Sequence, residues 1–149
     1  MYKKILIGVD GSEEAHKALN KAIDFYQKWN CEIVTFHSIK HHMIPYVFPI
    51  YSTSYEMASA SAFREEYIKV GNKILEETKK IFKKEEIPIE TRLIEDIEPE
   101  KYIIDKVKEE NFDLIILGSK GHHSKIHTLL GTISSHVVNN VDCDILIVR

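Results

Sequence analysis

At 149 residues, with 44% apolar and 29% charged side chains, the chain has the size and composition of one folded domain with a real core. A formal net charge of -3 supplies no basic field, which argues against a nucleic-acid partner. No apolar stretch approaches the roughly 18 residues of a membrane-spanning helix, and the cysteines, Cys31 and Cys143, lack CxxC spacing. No export signal precedes the first apolar run, so the expectation is a cytoplasmic protein whose cysteines act as small buried apolar residues.

A continuous apolar run over 5–9 reads as a strand buried on both faces, ended by Asp10-Gly11-Ser12. Ser12 is placed as an N-cap, with Glu13 and Glu14 at the positive end of the helix that follows. In that helix Ala15, Ala18, Leu19, Ala22, Ile23 and Tyr26 fall on one face, and it should run to about 29. A second strand is predicted over 32–37, rich in β-branched and aromatic residues. From 38 to about 60 the pattern lapses around Pro45 and Pro49, with Tyr46, Phe48, Tyr51 and Tyr55 scattered through it. That stretch reads either as an ordered lid or partner contact, or as a mobile excursion.

Tyr67, Val70, Ile74, Thr78, Ile81 and Phe82 form a helical stripe, and Pro88 opens a strand over 89–94. Glu98-Pro99 is a helix start, because proline loses nothing in a first turn, and Ile103, Ile104 and Val107 give that helix its buried face. A fourth strand over 114–117, a helix beginning near Thr132 and a fifth strand over 144–148 complete the chain. Strands alternating with helices predict an α/β domain with a mostly parallel sheet.

The stretch between the fourth strand and the last helix is the chemical centre of this reading. Gly118, Gly121 and Gly131 punctuate it, and its length exceeds an ordinary strand-to-helix connection. Gly131-Thr132 opens a helix whose first N–H groups favour a phosphate, and Gly118 and Gly121 allow backbone N–H groups to form a second cradle. Asp10, at the end of the first strand, can accept hydrogen bonds from sugar hydroxyls or hold a metal. The sequence contains no GxxxxGK[ST] loop and no GxGxxG after the first strand, which excludes the two commonest phosphate motifs. Paired imidazoles at His41-His42 and His122-His123 are potential ligands for Zn²⁺, Ni²⁺ or Cu²⁺, but adjacent loop histidines are ordinarily solvated and no such site is expected.

Gly118-x2-Gly121-x9-Gly131-Thr132 combined with Val9-Asp10-Gly11-Ser12 resembles the ATP-binding branch of the universal stress proteins. His37-Ser38-Ile39, the Pro99 helix start and the closing Cys143-Asp-Ile-Leu-Ile-Val-Arg149 extend the likeness over essentially the whole chain. The resemblance implies an open five-stranded parallel sheet in the order 3-2-1-4-5, commonly a homodimer paired through the last strand, with ATP across the switch between strands one and four. It implies that Asp10 contacts the ribose, that backbone near Val9 and Ser38 meets adenine, and that Gly118, Ser119, Gly121, Gly131, Thr132, Ile133 and Ser134 surround ribose and phosphates. Gly8, Gly11, Leu117 and His122 border that set, and Mg²⁺ or Mn²⁺ would accompany the phosphates. Two departures stand out: His122-His123, where arginine, serine or lysine often follows the second glycine, and Glu95-Asp96, where a glycine often precedes the acidic residue.

The resulting function is an ATP-binding sensor or regulator that meets an unidentified protein partner. A slow Mg-dependent ATP hydrolase and a nucleotide-independent dimeric interaction module are the alternatives.

Overall fold

The computed structural model describes residues 1–40, 54–119 and 130–149, with the side chains of 54–60 outside that description. Nine elements follow one another: β1 (Lys4–Gly8), α1 (Glu13–Trp29), β2 (Glu32–Ser38), α2 (Ser54–Lys84), β3 (Glu90–Ile94), α3 (Pro99–Glu110), β4 (Leu114–Gly118), α4 (Thr132–Val138) and β5 (Asp144–Val148). The strands form one sheet in the order β3-β2-β1-β4-β5, every neighbour parallel, the order that the family resemblance implies. β1 is central, paired with β2 from Lys4↔Glu32 to Gly8↔Phe36 and with β4 from Ile5↔Leu114 to Ile7↔Ile116.

Alternation along β1 divides the core. Ile5, Ile7 and Val9 point into one layer with Ala18, Leu19 and Ala22 of α1 and Leu75 and Phe82 of α2. Leu6 points into the other, with Tyr102, Ile103 and Val107 of α3 and Val137 of α4. Helices on both faces are what a strand apolar in every position requires. Cys31 lies in the first layer and Cys143 packs, half-buried, against the second. Burial pushes the Cys143 thiol up to about 11 and raises that of Cys31, so both stay protonated as small apolar groups.

Local chemistry explains the element ends. Ser12 caps α1, its hydroxyl oxygen accepting from the Ala15 N–H at 3.1 Å. Asn30 closes the helix in the left-handed conformation, with its N–H on the Tyr26 carbonyl at 2.7 Å. α2 begins at Ser54, earlier than the expected 60, because residues 54–60 carry alanine, methionine and glutamate but no Gly or Pro, so propensity holds a helix where the apolar stripe has not begun. The irregular stretch that the sequence places around Pro45 and Pro49 lies outside the described residues. No helix among the described residues is long and apolar enough to cross a membrane.

A charged cluster lies between β3 and the end of α3. Arg92 grips Glu110 with both guanidinium arms, Nη1 to Oε1 at 2.8 Å and Nη2 to Oε2 at 2.9 Å, and Lys4 adds a bond to Glu110 Oε2 at 3.3 Å. Such a two-pronged pair is stronger than a single contact and fixes geometry. Arg92 holds the Glu110 carboxyl down at about 2, and the Glu110 and Glu90 carboxylates raise the Arg92 guanidinium further.

Candidate functional site at the switch between β1 and β4

β1 leads to β2 on one side of the sheet and β4 lies on the other, so the strand order reverses between β1 and β4, the switch point past whose carboxyl ends open α/β sheets form a ligand crevice. Past Gly8, β1 becomes Val9-Asp10-Gly11-Ser12. Gly11 has φ 78°, a conformation that favours glycine, and it turns the chain from strand into α1. Asp10 Oδ1 accepts the Ser12 N–H at 2.9 Å, which fixes the carboxylate above the strand end and leaves its second oxygen outside that bond.

Across the crevice, Ser119 is buried and its N–H donates to the Val148 carbonyl of β5 at 2.7 Å. The Gly131 N–H donates to the Ser119 carbonyl at 3.0 Å, and the Ser134 hydroxyl donates to the Gly118 carbonyl at 3.2 Å. These two bonds tie the exit of β4 to the entry of α4, so both ends of the glycine-spaced segment stand together. Gly131 serves as the α4 N-cap and, having no side chain, makes no side-chain cap bond to the first turn. Thr132 is exposed there, Ile133 leans on the α3 side of the core and Ser134 is buried. With seven residues, α4 offers a phosphate its N–H groups more than a strong dipole.

The close approach at Gly118 is internal. A Cβ there would lie 2.9 Å from Glu14 Cβ and 3.3 Å from the Glu14 carbonyl carbon, so the missing side chain is what lets the first turn of α1 press against the end of β4. Gly8 is similar but softer, its nearest neighbour being the Leu117 Cδ2 tip at 3.0 Å. Leu117 and Val9 commit their side chains to opposite core layers, so either could meet a ligand only through its backbone.

β2 supplies the far wall. The Ser38 hydroxyl donates to the Ile97 carbonyl at 3.0 Å and His37 Nδ1 donates to the Val9 carbonyl at 2.7 Å. Burial lowers the His37 pKa, with the Val9 carbonyl and the Asp10 charge opposing that shift. Glu95 and Asp96 both pair with Arg64 of α2, at 2.8 and 3.1 Å, so these carboxylates answer a cation on a neighbouring helix. Gly121, His122 and His123, with His41 and His42, lie outside the described residues. Among the described residues, no group of three or more His, Cys, Asp and Glu is placed to hold a metal.

Sequence reasoning named His37 only as the end of a strand and passed over Gly71. A Cβ on Gly71 would lie 2.6 Å from Leu93 Cδ1 and 2.9 Å from His37 Cδ2, so α2 crosses β2 and β3 at a place where only hydrogen fits. The available signal was a lone glycine inside a long helical stripe, which such a packing requirement explains.

The model of the universal stress protein family matches residues 1–149, the whole chain. The chain belongs to the universal stress protein family. The universal stress protein YxiE of Bacillus subtilis is 28% identical, with 100% of both chains covered. Among solved structures, the universal stress protein UspA from Lactobacillus plantarum superposes with a TM-score of 0.80 at 22% identity, covering 99% of this chain and 98% of that one. A universal stress protein from Archaeoglobus fulgidus in complex with dAMP gives 0.69 at 19% identity, over 99% and 98% of the two chains. A universal stress protein in complex with cAMP gives 0.65 at 21%, over 99% and 97%. This universal stress protein shares their fold, and two of these neighbours hold an adenine nucleotide.

Proposed function

We propose that this universal stress protein is an ATP-binding sensor or regulator, the nucleotide lying across the ends of β1 and β4. The observation that supports the reading is the pair of bonds that bring the exit of β4 to the entry of α4, Gly131 N–H to Ser119 and Ser134 hydroxyl to Gly118, where the N-cap of α4 is a glycine with no side chain of its own. A phosphate oxygen satisfies the N–H groups of a helix's first turn. Asp10 then accepts a hydrogen bond from a ribose hydroxyl, and the main chain of Val9 and Ser38 borders the base. Gly118, Ser119, Gly121, His122, Gly131, Thr132, Ile133 and Ser134 enclose ribose and phosphates, with Gly8, Gly11 and Leu117 as the floor. Phosphate oxygens suit a hard cation, so Mg²⁺ or Mn²⁺ enters with the nucleotide and not through a protein metal site. The same reading makes the chain a cytoplasmic homodimer paired through β5, which forms an edge of the sheet.

The test is direct. Protein purified without added nucleotide is denatured, and the released small molecules are identified by chromatography and absorbance; adenine nucleotide is expected. Saturating Mg-ATP should also raise the melting temperature, since ligand at about a hundred times its Kd contributes about 2.7 kcal/mol. No nucleotide together with no thermal shift would remove the reading. ATP that survives prolonged incubation intact would favour binding over hydrolysis.

A further inference from the structure

The β1–β2 ladder ends with an unusual rung. The Val9 N–H donates to the Phe36 carbonyl at 2.9 Å, as a parallel ladder requires, whereas the Val9 carbonyl takes its 2.7 Å bond from a side chain, His37 Nδ1. His37 is 4% exposed, and the Cδ2 edge of its ring meets α2 where Gly71 lacks a side chain. The imidazole is therefore clamped between the peptide that precedes Asp10 and the backbone of α2. A side-chain rung reaches further than a backbone one, so β1 can leave β2 at this level and enter the left-handed turn at Gly11. The Val9–Asp10 peptide remains fixed in rotation, and with it the Asp10 carboxylate bonded to the Ser12 N–H.

Resting on the nucleotide reading above, we infer that His37 is a positioning residue of that site. Its Nδ1–H holds the Val9 carbonyl and so sets the Asp10 carboxylate for the ribose, without itself touching the ligand. Asparagine can present an amide N–H close to the place of Nδ1, whereas the amide of glutamine reaches the place of Nε2, and leucine fills the volume with no donor. The dissociation constant for Mg-ATP is measured by calorimetry for the wild type, His37→Asn, His37→Gln and His37→Leu, well below every melting point. Loss of one positioning hydrogen bond should weaken binding about tenfold. His37→Leu and His37→Gln should show that loss while His37→Asn stays within about threefold of the wild type. A role in packing alone would lower melting temperatures but leave affinities of the folded proteins equal. If His37→Leu does not fold, the contrast between the two amide variants decides. Equal affinities for Asn and Gln, or for Leu and wild type, would overturn the positioning role while the nucleotide reading stood. A wild type that binds no Mg-ATP would overturn both.

Discussion

Replacing Gly118 by alanine tests whether the crevice is set by contact between α1 and β4. The added methyl would sit 2.9 Å from Glu14 Cβ and 3.3 Å from the Glu14 carbonyl carbon, where ordinary contacts begin near 3.4 Å. Neither atom is the free end of a side chain. Both belong to the first turn of α1, which is anchored by the Ser12 cap and by Ala15 and Ala18, 4% and 0% exposed. Overpacking a rigid site costs about 1–3 kcal/mol. Loss of unfolded-chain freedom on going from Gly to Ala returns about 0.4–1 kcal/mol. The net destabilisation is about 0–2.6 kcal/mol, centred near 1.3 kcal/mol, which corresponds to a fall of roughly 3–5 °C in melting temperature for a chain of this size. Relief of the overlap moves the α1 start off β4, separating Asp10 from Ser119, so Mg-ATP affinity should fall as well. Gly8→Ala is the control, because its methyl meets only the movable tip of Leu117. Urea titration followed by circular dichroism gives the midpoint and slope for both variants. Gly118→Ala melting within 1 °C of the parent, or no less stable than Gly8→Ala, would refute the argument.

Glu110→Gln should lower stability at pH 7 by about 1–2 kcal/mol, less than the roughly 3 kcal/mol of the full shift because the side chain is 24% exposed. The folded carboxyl at about 2 lies below its ordinary 4.5, so its contribution is present above 4.5 and vanishes as pH falls toward 2; the gap between the two proteins in urea titrations should close over that window. His122 and His123 give the third expectation: if either faces the phosphates, Mg-ATP binding tightens as pH falls from about 7.5 to 6, through the ordinary imidazole pKa of about 6.5. A flat calorimetric profile with magnesium saturating would exclude that role.

β1, β4 and β5 were legible in the sequence because each is largely a short apolar run between turn signals. The predicted limits of β5 coincide with the observed Asp144–Val148 since a cysteine-aspartate entry and the chain end bound it. Strand order came from the family resemblance, as no local pattern states which strand lies beside which. The start of α2 escaped because periodicity reports burial, and residues 54–60 are helical without an apolar stripe. Glu95 and Asp96 looked like a departure from a motif because Arg64, about thirty positions away, cannot be assigned to them from spacing. Gly118 was noticed because glycine signals a close approach, but the sequence does not say that Glu14 is a group that approaches it.

The two bonds that join Gly118 and Ser119 to Ser134 and Gly131 also make the exit of β4 and the entry of α4 one mechanical unit. The start of α4 therefore moves with the end of β4, and a change that shifts one of these elements carries the other with it.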